Sequence, residues 1–159
     1  MAMIEACIPA LRRYASVLVR TPQEQDDLVQ DCLVRALERW HTQREDGNLR
    51  GWLFTIMHNL CVSQIRRNKV RGLLTTIVKA RVELTDQLPA KQEQIIEIRK
   101  TIHALQKLPA GQQRVLILIA VEDLSYAEAA QVLGIPIGTV MSRLFRARER
   151  LRQSLDEKT

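Results

Sequence analysis

The segment spanning residues 108–152, LPAGQQRVLILIAVEDLSYAEAAQVLGIPIGTVMSRLFRARERLR, constrains the fold most, because start, stop and face signals fall in register within it. Ser125 and Glu128 make an S-x-x-E capping box, which predicts a helix starting just after Ser125. Gly134, Ile135 and Pro136 then break that helix and give the short turn that sets two helices at a steep angle. In the helix that follows, Val140, Leu144, Ala147 and Leu151 recur at spacings of three and four and form one apolar stripe. Thr139, Ser142, Arg143, Arg146 and Arg150 fall on the opposite side. An apolar back with a basic, hydrogen-bonding front suits a helix that lies in the major groove of DNA. The competing interpretation is an ordinary amphipathic helix with a solvated charged face.

Charge is distributed unevenly along the 159 residues, whose formal net charge is +6. Residues 49–82 hold no Asp or Glu but carry Arg50, Arg66, Arg67, Lys69, Arg71, Lys79 and Arg81. Residues 22–46 reverse the balance, with Glu24, Asp26, Asp27, Asp31, Glu38, Glu45 and Asp46 against Arg35, Arg39 and Arg44. A basic tract beside an acidic one implies two surfaces with different partners, one of them polyanionic. A hydrophobic content of 46% suffices for packed cores and excludes wholesale disorder.

Neither export nor membrane insertion is expected, and the chain is placed in the cytoplasm. MAMIEACIPALRRY lacks the basic start and long apolar core of a signal peptide. The longest apolar run, 115–121, falls far short of the about 20 residues a bilayer span requires. Cys7, Cys32 and Cys61 form an odd, scattered set without a C-x-x-C pair, as expected of small buried or half-buried thiols in a reducing compartment. His58 and Cys61 could share a helix face as half of a metal site, but no second pair of ligands is visible, so no metal or other cofactor is expected.

The remainder also predicts helices, giving an all-α chain of two small domains. A first helix is expected over 4–19. Thr21, Pro22 and Glu24 are another start signal, opening a helix to about residue 40 that buries Leu28, Val29, Cys32, Leu33, Ala36 and Leu37. A polar loop over 41–48 ends in Asn48, which can cap a third helix over 49–68. Residues 69–91, with Gly72, a Thr-rich turn, Asp86 and Pro89, predict a linker. A second domain over 92–159 follows, with helices at about 92–107, 109–122, 125–133 and 136–155. The domain division is therefore 1–68, 69–91 and 92–159.

The third helix has a core stripe of Leu53, Ile56, Met57 and Leu60, yet it also carries Trp52 and Phe54. Aromatic rings beside positive charge suit single-stranded nucleic acid, where a stacked base contributes about 1–3 kcal/mol. Phe54 fits the core equally well. Trp52, Asn59, Arg66 and Arg67 together favour a nucleic-acid surface, and the basic end alone would serve as a phosphate patch.

DDLVQDCLVRALERW, then RGWLFTIMHNLCVSQIRR, then LPAGQQRVLIL and LSYAEAAQVLGIPIGTVMSRLFRARERLR resemble, in that order, the extracytoplasmic-function sigma factors of bacterial RNA polymerase. The resemblance runs from about residue 11 to 152. It implies an all-helical promoter-specificity subunit that binds core RNA polymerase. On this resemblance the N-terminal domain opens the −10 element of double-stranded promoter DNA, and the C-terminal helix-turn-helix reads the −35 element. A cognate anti-sigma factor commonly sequesters the two domains in that family.

Residue roles follow from the same resemblance. Asp27, Gln30 and Asp31 share one helix face by their spacing, and the family docks this face on a coiled coil of the largest polymerase subunit. The competing interpretation is a solvated acidic face. The 41–48 loop and the start of the third helix would meet the locally melted strand, with Trp52 and Asn59 at matching positions. Ser63 departs from the pattern, since an acidic residue is common there, and is assigned no base contact. Ser142, Arg143, Phe145 and Arg146 match positions facing −35 bases or the flanking backbone, while Thr139 and Arg148 are placed for phosphates. Phe145 fits a thymine methyl, the DNA backbone or burial in the domain. Met141 stands where the family often has a basic residue.

Two other classes compete. A self-contained helix-turn-helix repressor would bind a palindromic operator as a dimer, but it needs neither the acidic helix nor the aromatic-basic one. An enzyme is disfavoured: His41, His58 and His103 fall in separate segments, with no nucleophile elbow or phosphate-binding glycine loop.

Overall fold

The computed structural model describes residues 2–70 and 92–157, and all regular structure among them is helical. Seven α-helices follow in order: α1 (Ala2–Leu18), α2 (Pro22–Glu38), α3 (Leu49–Val70), α4 (Gln92–Gln106), α5 (Ala110–Leu116), α6 (Tyr126–Leu133) and α7 (Ile137–Asp156). A 3-10 turn (Trp40–Thr42) follows α2, and a π-helical turn (Ile117–Val121) follows α5. The third helix runs two residues past its expected end, since Lys69 and Val70, expected in the linker, still belong to α3. The remainder of that linker, 71–91, lies outside the described residues.

Local chemistry sets the helix ends. The Glu24 N–H donates to Thr21 Oγ1 at 3.1 Å and the Thr21 N–H donates to Glu24 Oε2 at 3.1 Å, so the capping box of α2 is complete. The Gly51 N–H donates to Asn48 Oδ1 at 3.2 Å and caps α3. At α6 only half of the expected box forms. The Glu128 N–H donates to Ser125 Oγ at 3.1 Å, but the Glu128 carboxylate turns away to accept from Asn48 Nδ2 at 2.7 Å. A tertiary partner has displaced the local one. Gly134 closes α6 in the left-handed region, at φ 64°, where a Cβ would be strained.

Helices α1, α2 and α3 pack on one another, while α4, α5 and α6 each pack on α7. The two groups also meet, α1 against α5 and α3 against α6. One apolar core runs through both, from Leu11, Tyr14, Cys32, Leu53 and Met57 to Val115, Leu118, Ala129, Val140 and Ala147.

Three expectations need correction. Leu37 is 51% exposed rather than buried, because α2 ends one residue later at Glu38 and its last turn overhangs the core. The chain tightens there instead of continuing to Trp40, as the Thr42 N–H and hydroxyl both donate to the Arg39 carbonyl at 2.8 Å. The helix expected over 109–122 is α-helical only to Leu116; the Glu122 N–H then reaches back five residues to the Ile117 carbonyl, at 3.0 Å. That wider turn buries both Leu118 and Glu122 while Ala120 and Val121 face solvent.

Candidate nucleic-acid and polymerase interface

The outer face of α2 carries Asp27, Gln30 and Asp31, all exposed, while Leu28, Val29 and Cys32 turn into the core. The neighbouring Asp26 is held by Arg12 of α1 at 3.1 Å, on the surface. The face is thus acidic and lies on a helix whose start is fixed by the capping box.

On α3, Trp52 and Phe54 part company. Phe54 is fully buried and meets Tyr14 edge-on, with ring centroids 5.2 Å apart at 67°. It belongs to the core, and of the two roles left open for it the structural one holds. Trp52 is half-buried and rests edge-on against Trp40, centroids 6.2 Å apart at 76°. Because Trp40 is itself 38% exposed, the pair makes an aromatic ledge at the mouth of the 41–48 loop. Asn59 and Arg66 follow Trp52 at intervals of seven, so the three lie on nearly one face, drifting about 20° per step. Asn59, Arg66 and Arg67 are exposed. From Trp52 to Arg67 the helix covers about 22 Å. Arg67 Nε also donates to the Ser63 carbonyl at 3.4 Å, a bond on the helix itself.

The apolar stripe of α7 is buried at Val140, Leu144 and Ala147 and half-buried at Leu151, as its spacing predicts. On the other side Ser142 and Arg146 are exposed and Thr139 is half-buried, and Arg148 is exposed at the flank of the stripe. Ser142 Oγ donates to the Thr139 carbonyl at 3.1 Å. Phe145 is 68% exposed, which excludes burial in the domain as its role. Arg143 is only half-exposed, because its guanidinium lies over Gly111 at the start of α5; a Cβ there would come within 3.1 Å of Nη1. The expected face is thus assembled, with Arg143 folded onto the adjoining helix.

Sequence reasoning missed the polar contact between the two helical groups. The buried Glu122 carboxylate meets Arg13 of α1 at 2.6 Å and Arg50 of α3 at 2.8 Å. The one available signal was a carboxylate ending the apolar run VLILIAVE. His58 and Cys61 have separate partners. His58 Nδ1 lies 3.2 Å from the Tyr14 hydroxyl in the core, while Cys61 Sγ points at the Leu18 carbonyl at 3.9 Å. Burial, reinforced by the Arg114 charge, lowers the His58 pKa to about 4. Burial pushes the Cys32 thiol up to about 12. No helix among the described residues is long and apolar enough to cross a membrane.

The chain itself matches known families. Residues 98–151 match the family "Sigma-70, region 4", and residues 4–58 match "Sigma2 domain of PhyR". The ECF RNA polymerase sigma factor EcfG of Rhodopseudomonas palustris is 36% identical over 153 residues, covering 93% of this chain and 80% of that protein. SigM of Mycobacterium tuberculosis, also an ECF RNA polymerase sigma factor, is 32% identical over 145 residues, covering 91% and 71%. Among solved structures, the sigma factor RpoE of Bartonella quintana, in complex with the anti-sigma factor NepR, superposes with a TM-score of 0.82 at 32% identity, covering 98% of this chain and 95% of that one. CnrH, in complex with the cytosolic domain of CnrY, superposes with a TM-score of 0.69 at 26% identity, covering 99% and 88%. Relatives of this kind favour transcription initiation over a self-contained repressor. With two helical domains in the family's order and a relative this similar over most of both lengths, the chain belongs to the ECF sigma factors of bacterial RNA polymerase.

Proposed function

We propose a division of labour among the three exposed faces of this sigma factor. Asp27, Gln30 and Asp31 on α2 dock core RNA polymerase. Trp52, Asn59, Arg66 and Arg67 on α3, with the 41–48 loop, engage the −10 element as it melts, Trp52 offering a stacking face and the arginines neutralising phosphate. Ser142, Arg143, Phe145 and Arg146 read the −35 element in the major groove, with Thr139 and Arg148 on its phosphates. The segments 1–68 and 92–159 would carry these tasks and 69–91 would join them. The observation that carries this reading is α7. Its polar side is exposed at Ser142, Arg146 and Arg150, directly after the left-handed turn at Gly134, which is how a helix-turn-helix offers its second helix to a groove.

A protein partner follows from the relatives. RpoE and CnrH, each aligned over nearly all of this chain, were solved bound to NepR and to CnrY. A cognate anti-sigma factor is therefore proposed here too, holding the two helical groups away from polymerase.

Run-off transcription tests the reading. Core polymerase is supplied with a genomic promoter library, with and without this chain. Specific transcripts that require the chain and share upstream elements are the expected result. Binding to a palindromic site without polymerase, and no polymerase-dependent transcript, would overturn it.

A further inference from the structure

The contact around Glu122 has a geometry that promoter recognition does not use. Its side chain is fully buried, immediately after the π-helical turn. Arg13 Nε donates to Oε1 at 2.6 Å and Arg13 Nη2 to Oε2 at 3.1 Å. Arg50 Nη2 donates to Oε2 at 2.8 Å and also to the Glu122 carbonyl. A carboxylate removed from water requires this degree of compensation, and losing either partner leaves charge stranded. Both guanidinium groups come from the N-terminal helices, whereas the carboxylate comes from the C-terminal group. The arrangement exists only while α1 and α3 touch α5 and α6. Beside it Asn48 is bonded to Glu128 of α6.

Two of these residues fall on the surface proposed above for the promoter. Asn48 and Arg50 belong to the loop and helix start assigned above to the −10 strand, and here both are engaged within the chain. Size leads to the same point. Elements centred on −35 and −10 are separated by ~25 base pairs, or ~85 Å at 3.4 Å per step. A compact body of 159 residues has a radius of gyration of about 15 Å and is about 40 Å across. The closed body is therefore too small to occupy both elements.

We propose that Glu122, clamped by Arg13 and Arg50, is a latch that holds this sigma factor in a closed, promoter-incompetent form. The proposal rests on the assignment of the −10 and −35 faces above. Opening separates α3 from α6, returns the carboxylate to water, and frees Arg50 for the phosphate backbone. A closed majority lowers the apparent affinity for polymerase and promoter by the fraction that is open, and breaking the latch removes that penalty.

Two variants of the full chain test it. Glu122→Gln removes the charge that both arginines hold. Arg13→Glu sets a second carboxylate against Glu122 from a half-exposed position on α1, without touching the helix-turn-helix. Small-angle X-ray scattering should show the wild type near the compact radius and both variants larger by several ångströms. In run-off transcription the variants should reach half-maximal output at about tenfold lower chain concentration. If Glu122→Gln loses helical content by circular dichroism, Arg13→Glu decides. Variants with native helix content that keep the wild-type radius, or that expand without shifting the transcription titration, overturn the latch. An open wild type would overturn it as well. If the wild type is compact, and neither it nor the expanded variants support any transcription, the sigma-factor assignment of faces is refuted, while the scattering still scores the closed form.

Discussion

Arg146 and Arg148 stand two positions apart on α7 and thus about 200° apart around its axis. Arg146 shares its side with Ser142 and Arg143, which is the side proposed to meet base edges, while Arg148 points away from that side and is proposed to meet the flanking phosphates. Arg146→Ala should flatten sequence preference at one or two −35 positions, losing about 1–3 kcal/mol of discrimination there. Arg148→Ala should weaken all sequences alike and reduce the salt dependence of binding. Transcription from a −35 element randomised base by base separates the two; a uniform loss for Arg146→Ala would move that residue to the positioning set. His58 yields a pH prediction. Its folded pKa, about 4, lies below the ordinary value of 6.5 because the ring is buried near Arg114. Between these values the unfolded chain binds a proton that the folded chain refuses, so stability is full above pH 6.5 and falls as pH drops towards 4. The loss is at most about 3 kcal/mol. Urea midpoints measured across that window should fall with pH, and His58→Gln should blunt the slope. Side chains two apart also mark what sequence can tell. Trp52 and Phe54 look alike in a linear string, and only the Tyr14 ring arriving from α1 makes one of them core.

The elements themselves were largely legible, because their signals are local. Thr21 with Glu24, Asn48 with Gly51, and Gly134 with Pro136 act within a turn of one another, and the structure places helix ends at each. What escaped was decided across the molecule. The π-helical turn places Glu122 against two distant arginines, and half of the α6 capping box is given up to Asn48. Leu37 has a core residue's chemistry but no neighbour to cover it. The polar faces of α2, α3 and α7 could be drawn from spacing, whereas the folding of Arg143 onto α5 could not, since nothing local links it to Gly111. For α2 the face is testable as a unit. Asp27 and Asp31 are exposed and four apart, so Asp27→Arg/Asp31→Arg should alter stability by less than about 1 kcal/mol. Pull-down with core polymerase should nevertheless fall sharply for the double variant. Wild-type retention by a variant with an unchanged melting temperature would remove this face from the interface.

At the scale of the molecule, the sequence predicts two domains and the structure joins them. Their apolar residues form one continuous core, sealed at the boundary by Glu122 with its arginines and by Asn48 with Glu128. Two small units that share a core should not melt independently. Globular chains absorb roughly 0.7 kcal/mol per residue on unfolding near 60 °C, so about 100 kcal/mol is expected in total. If the two groups unfold together, the van't Hoff enthalpy from the shape of the transition should match that calorimetric value. If they unfold separately, the van't Hoff value should be near half of it, or two peaks should appear. Differential scanning calorimetry of the wild type should give a ratio near one. For Glu122→Gln the boundary loses its charged clamp while each group keeps its own three-helix packing, so the single transition should broaden or split. A wild-type ratio near two would mean that the shared core contributes little across the boundary, and that the groups touch without being coupled.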